Sequence, residues 1–362
     1  VACEQFICYV KYFFFEDKVE AIAKLIVAFD EKDASNPRLL LIYSRILMEL
    51  IKFEWRVYQP SSCKPLLLKI IEEKDGIDDD ITKALLVLYS KILYEVYDNE
   101  EISVVFATAL HFAERFPSES CQLLDRIKGS LFRIPDASEL LFSLVSLGPN
   151  YEEFFDLYPD NYGFGDDDKS FNLMVGSHLE ELVQLALVYT GEYVNNELDE
   201  YNSNLINVAA KFIQSVISFK KDEYVPMLTE FITENLGQNG TPQKYAAAVT
   251  NYILFRDKLH GRYTYTVDQS DVIPALLSDE SPRILFIGLK VLGTLISFGV
   301  SQEESIGTGQ IALGGEAKKE KFEVTEEILQ VIFGAFESEQ MALVDKAKEI
   351  LSSGFMSAIG HE

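Results

Sequence analysis

Apolar residues recur at three- and four-residue steps along most of the chain. Between Asn36 and Trp55, the residues Leu39, Leu40, Ile42, Tyr43, Ile46, Leu47, Leu50 and Ile51 fall on one wide face of a helix. The same period predicts helices over Ile81–Tyr97, Ile102–Phe116, Leu179–Tyr189, Leu205–Phe219, Val225–Leu236, Tyr245–Leu259, Ile284–Phe298, Ile328–Phe336 and Leu343–Leu351. The alternation expected of a half-buried strand is confined to the short run Arg262–Val267. The predicted class is all-α.

Helix punctuation separates these segments. Ser35-Asn36-Pro37, Asp136-Ala-Ser-Glu139 and Thr325-Glu-Glu-Ile328 each set a capping side chain ahead of a helix start. Short breaks between many helices imply antiparallel neighbours. Two longer interruptions are expected to be loops: residues 149–170, which mix aromatics with acids, and residues 301–321, rich in Gly, Lys and Glu. Apart from these, residues 1–362 read as one elongated domain.

Internal similarity sharpens this picture. Pro65-Leu-Leu-Leu-Lys-Ile-Ile is followed, 81 − 65 = 16 positions after its proline, by a helix opening at Ile81. Pro226-Met-Leu-Thr-Glu-Phe-Ile is followed at the same offset, 242 − 226 = 16, by a helix opening at Pro242. The blocks differ by 226 − 65 = 161 positions, which carries Lys83 onto Lys244, Ile92 onto Ile253 and Leu93 onto Leu254. A compressed version runs from Val272 through Pro274 and Asp279-Glu-Ser-Pro282-Arg283 into the apolar helix at Ile284.

A helix with Pro near its start, an Asp-x-x-Pro turn, then a helix opening on a basic residue resembles a HEAT or armadillo repeat. Residues 271–299 carry the resemblance best, with Arg283 near the family's frequent basic position; residues 63–97 and 224–259 carry it in part. It implies a right-handed superhelical stack of antiparallel helix pairs, each touching its neighbours and presenting an extended binding surface. A non-repetitive helical bundle is the alternative.

Charge narrows the functional classes. The chain holds 58 Asp and Glu against 32 Lys and Arg, a net charge of −26, with 48% hydrophobic residues. So apolar a chain folds, because burial offsets its conformational entropy. So acidic a chain disfavours phosphate backbones and anionic lipid, and suits a partner with a basic surface. The basic runs Lys220-Lys221 and Lys318-Lys319 are each followed by acids, so direct nucleic-acid binding is not expected. Neither Val1–Phe15, which holds Glu4 and Lys11, nor Ile284–Val300, which holds Lys290, suits a signal peptide or a membrane span; both are expected to be buried helices. The start at Val1 rather than Met suggests a processed chain or an excised fragment. Cys3, Cys8, Cys63 and Cys121 show no CxxC spacing and read as reduced, buried thiols of an intracellular protein, cytoplasmic or nuclear.

Familiar catalytic patterns are missing. His111, His178, His260 and His361 form no HExxH, and His111, inside an apolar helix, is expected in the core. The glycines Gly307, Gly309, Gly314 and Gly315 lack the GK[ST] ending of a phosphate loop. Counted from Asp160, a calcium loop would place Tyr162, Phe164 and Phe171 where oxygen ligands are needed. No cofactor or metal is expected.

Two acidic stretches remain. Glu72–Asp80 holds six acids and one lysine, and its Asp78, Asp79 and Asp80 suit a helix start. Glu152–Asp168 holds seven acids, five aromatics and no basic residue. Its Glu152, Glu153, Asp156, Tyr158, Asp160, Tyr162, Phe164, Asp166, Asp167 and Asp168 are the candidate partner-binding residues, acids for a Lys/Arg-rich segment and aromatics for stacking. The alternative is a solvated loop.

The expected function is a non-enzymatic scaffold or adaptor holding a basic segment of a protein partner. Three kinds of helical-repeat protein fit it: nuclear transport receptors, subunits or regulators of cohesin- or condensin-type chromosome complexes, and assembly chaperones for basic proteins. The rival from another class, an all-α enzyme using scattered carboxylates, requires paired acids in a deep pocket.

Overall fold

A computed structural model describes residues 79–93, 99–159, 167–195, 198, 206–259, 265–301, 310–313, 320–323 and 325–352. The helix expected over Asn36–Trp55, the block at Pro65, the thiols Cys3, Cys8 and Cys63, the glycines from Gly307 to Gly309, and His260 and His361 lie outside the described residues. The chain divides into two compact units, Val1–Leu157 and Tyr158–Glu362.

The described part of the first unit contains α1 (Asp79–Ile92), α2 (Asn99–Ala113), α3 (Pro117–Asp125) and α4 (Ala137–Val145), with 3₁₀ segments at Lys128–Arg133 and Pro149–Leu157. Asp79 and Asp80 occupy the first turn of α1, where carboxylates complement the helix dipole, and Asp79 pairs with Arg115. Pro117 starts α3, since its fixed φ suits a first turn that has no use for its missing N–H. The preceding Phe116 is 1% exposed, with the cations of Lys83 and Arg115 lying 5.7 and 5.1 Å from its ring centre. Around it Leu86, Tyr89, Ile102, Val105, Ala109, Leu123 and Leu124 form the core where α3 packs on α1 and α2. His111 is not a core residue: it lies exposed on α2, its ring edge-on to Phe112 at 4.7 Å.

The second unit contains α5 (Asp167–Val175), α6 (Leu179–Gly191), a 3₁₀ turn at Glu192–Asn195, α7 (Val208–Asn235), α8 (Pro242–Leu259), α9 (Gln269–Leu277), α10 (Pro282–Ser301), β1 (Gln310–Leu313), β2 (Glu320–Glu323), α11 (Glu326–Phe336) and α12 (Met341–Ile350). From Val208 to Asn235 the two expected segments run into one kinked helix, α7, with Lys220 at the bend (φ −132°, ψ 36°) and Pro226, which cannot donate to the preceding turn, six residues on. Neither long interruption is wholly loop. Residues 149–170 hold a 3₁₀ segment and the start of α5, while residues 301–321 hold β1 and the start of β2, paired antiparallel with Gln310 opposite Glu323 and Leu313 opposite Glu320. The described structure is therefore mostly helical, with one short hairpin. Of the β-like run, Tyr265–Val267 is irregular rather than strand.

Packing in this unit follows chain order. α7 packs on α6 and α8, α8 on α10, and α10 on α12; the intervening α9 and α11 pack on α10 and α12 respectively, and on each other. Among the described residues α8 and α12 share no extensive contact; both use α10. Small residues permit the close approaches. Ala246, Ala247 and Ala248 are all buried on α8, and a Cβ added at Gly191 would stand 2.6 Å from the Pro242 carbonyl oxygen.

Two buried polar clusters tie α8 to the ends of α9. Lys244, 1% exposed, directs its ammonium at Asp279 (2.8 Å), Asn239 Oδ1 (2.8 Å) and the Ala275 carbonyl (2.9 Å). Asp279 in turn accepts from the backbone N–H of Gly240 (3.2 Å) and Ser281 (2.8 Å). Burial acts to raise the Asp279 pKa, but the Lys244 hydrogen bond and the two backbone donors outweigh it, so the carboxyl is held below its usual value. At the other end of α9, Asn251 and Gln269 exchange amide hydrogen bonds at 3.2 Å, and Tyr265 donates to Asn251 Oδ1 at 2.6 Å. The turn at Asp279 after α9 is thus anchored to the start of α8.

Candidate functional site

The acidic stretch divides by what its residues pack against. In the first unit, the 3₁₀ segment Pro149–Leu157 buries Phe154, Phe155 and Leu157 against α3 and α4, and leaves Glu153 and Asp156 exposed and Glu152 half-buried. A three-residue repeat brings Glu153 and Asp156 to one face. Two contacts fix the segment: Cys121 donates its S–H to the Glu153 carbonyl at 3.2 Å, and Tyr151 donates its hydroxyl hydrogen to the Glu114 carbonyl at 3.2 Å.

The electrostatics of Cys121 reveal a further member of this patch. Burial pushes its thiol well above the ordinary value, and the neighbouring charges of Glu153, Asp156 and Asp125 push it further, with Lys128 opposing them. Asp125 is exposed at the end of α3. The charges of three carboxylates from two segments therefore act on one buried thiol, against a single opposing lysine. Sequence reasoning missed Asp125 because nothing in the spacing from 125 to 153 announces that both charges act on Cys121. The Phe116-Pro117 step was the one local signal that a helix led to it.

The aromatic half of the candidate set behaves differently. Tyr158, in the second unit, is 2% exposed and meets Phe212 edge-on at 5.1 Å, so its ring belongs to the core and is not offered to a partner. Burial also raises its phenol well above its ordinary value. Phe171 stacks on Phe212 and Phe219, at 6.4 and 4.6 Å, in the same aromatic cluster. Asp160, Tyr162, Phe164 and Asp166 lie outside the described residues. Asp167 and Asp168 are the first two residues of α5.

Elsewhere the titratable groups serve packing. Tyr224 has its pKa raised by burial and by Glu223, Glu180 and Glu181, which marks another acidic locality where α6 meets α7. Lys290 has its ammonium pKa lowered by burial and by Lys346 across the α10–α12 contact, against a smaller opposing effect of Glu349. Arg283 is 5% exposed and donates to the Tyr245 hydroxyl at 3.2 Å. Among the described residues no group of three His, Cys, Asp or Glu is arranged to hold a metal ion, and no helix is long and apolar enough to cross a membrane. No protein-family model matches the chain, and no curated protein matches it.

Proposed function

We propose that the chain is a non-enzymatic scaffold of HEAT or armadillo type, an α-solenoid that holds a Lys/Arg-bearing segment of a protein partner. One observation carries this reading, the packing order of the second unit. α8, α10 and α12 succeed one another in one row, while α9 and α11 touch in a second row and each packs on the helix that follows it. That is the order a stack of helix pairs produces, because each pair buries its apolar face against the next. The polar anchor at Asp279, in the turn that carries the family resemblance, agrees with it. The acids Asp125, Glu153 and Asp156 supply negative charge suited to a basic segment, and their exposure leaves them accessible.

Affinity capture with the full chain tests the reading, at about 0.05 M and about 0.5 M salt, where screening lengths differ about threefold. The expected partner carries a Lys/Arg-rich segment, is lost at the higher salt, and is lost with Glu153→Lys and Asp156→Lys together. A partner with no basic segment that stays bound at high salt would overturn the electrostatic reading. Compact, closed dimensions in small-angle scattering would overturn the solenoid.

A further inference from the structure

The turn between α7 and α8 holds the one Asn-Gly step of the sequence, Asn239-Gly240. Both residues are exposed, and each hydrogen-bonds one member of the buried pair formed by Lys244 and Asp279. The Lys244 ammonium donates to Asn239 Oδ1 at 2.8 Å, and the Gly240 N–H donates to Asp279 Oδ2 at 3.2 Å. A cation therefore stands on the side-chain carbonyl oxygen of Asn239, and a carboxylate stands on the main-chain N–H that follows it.

Those two groups are what a ring closure within the step requires. The Gly240 nitrogen and Asn239 Cγ are linked through the main-chain carbonyl carbon, Cα and Cβ of Asn239, so joining them makes a five-membered ring. Attack by the nitrogen puts negative charge on Oδ1, where an ammonium already in place stabilises it. The attacking nitrogen must also shed its proton, and the carboxylate that accepts its N–H is positioned to take it. Holding both partners in advance removes part of the entropic cost of the step.

Gly240 meets the remaining demands. Its φ of +66° lies in the left-handed region that favours glycine, and a Cβ there would meet nothing within 4 Å. No side chain crowds the attacking nitrogen, and the exposure of the turn admits water.

We propose that Asn239 is a self-modification site, converted through a cyclic imide to aspartate and isoaspartate with Lys244 and Asp279 assisting. The Gly240 nitrogen bonds to Asn239 Cγ as its proton passes to Asp279. The Cγ–Nδ2 bond then breaks, its electron pair leaving with the nitrogen, which takes the proton back from Asp279 and departs as ammonia. Water opens the imide, at Cγ to give aspartate or at the main-chain carbonyl to give isoaspartate. Lys244 and Asp279 end as they began, and water is the only co-reactant. Either product sets a new carboxylate beside the buried pair. The inference stands independently of the scaffold reading.

The test incubates the full chain at neutral pH and follows, by digestion and mass spectrometry, the mass gain of amide-to-acid conversion in the fragment that holds Asn239. A synthetic peptide of residues 236–244 and the full chain unfolded in urea give the rate of the same step without the fold. The folded chain is expected to convert about tenfold faster or more than either. Lys244→Met and Asp279→Asn, each measured where circular dichroism shows it folded, should fall toward the peptide rate. Asn239→Gln should abolish the gain in that fragment. A folded chain that converts no faster than the peptide and the unfolded chain overturns the proposal, because the two hydrogen bonds then only hold the turn still. So does an unchanged rate in either folded variant, or a gain that persists in Asn239→Gln. Where neither Lys244→Met nor Asp279→Asn folds, the comparison of folded with urea-unfolded chain decides by itself.

Discussion

Lys244 commits its ammonium to three acceptors inside the protein, and Asp279 receives backbone hydrogen bonds as well as the ammonium. A buried pair satisfied in this way gains little over apolar neighbours, but breaking it leaves a charge uncompensated. Lys244→Ala is therefore expected to cost about 3–5 kcal/mol in urea unfolding. Replacing both partners with Met and Leu should recover only part of this, because the Gly240 and Ser281 N–H groups lose their acceptor. The same pair sets a pH dependence. Since Asp279 is depressed in the folded state, its contribution is fully present above the unfolded carboxyl value near about 4 and is lost as pH falls through the lower folded value. Asp279→Asn should be less stable at neutral pH and show a shallower acid decline; an identical decline would remove Asp279 from that role. The sequence offered Lys244 only as the counterpart of Lys83, yet Lys83 is exposed beside Phe116. Register along the chain did not reveal which lysine a carboxylate would reach.

At the scale of elements, glycine makes opposite predictions in two helices. Gly191→Ala places a methyl group against the Pro242 carbonyl and should lower stability by about 1–3 kcal/mol, whereas Gly334→Ala has open space and should raise it by about 1 kcal/mol. Thermal melts of the two variants read both signs, and matching signs would contradict the packing of α6 against α8. Most long helices were legible from their period, and Thr325 caps the start at Glu326 as its signal implies, whereas Asp136 precedes Ala137 in a left-handed conformation (φ 61°) and makes no side-chain cap bond. The short α3, α5 and β1 were not, because nine or fewer residues hold too few turns or alternations for a period to stand out. α3 matters most here, since it carries Asp125 to the acidic patch.

For the whole molecule, the net charge of −26 acts on stability and on binding in opposite senses. Salt screens the mutual repulsion of exposed carboxylates, so the melting temperature is expected to rise between about 0.02 M and about 0.3 M sodium chloride. The same salt should weaken capture of a basic segment. A melting temperature that falls with salt would mean that exposed ion pairs such as Arg115 with Asp79 outweigh the repulsion.

Helical class, the order of the long helices and the acidity of residues 152–168 were determined by the sequence itself, because helical period, capping and charge count depend on near neighbours. Which of those acids and rings face outward was decided only by tertiary structure. Tyr158 entered an aromatic core through Phe212, the charges of Asp125, Glu153 and Asp156 came to act on the one buried thiol of Cys121, and Phe333 stayed in water. Burial is a property of what packs on a residue, and no local pattern carries that information.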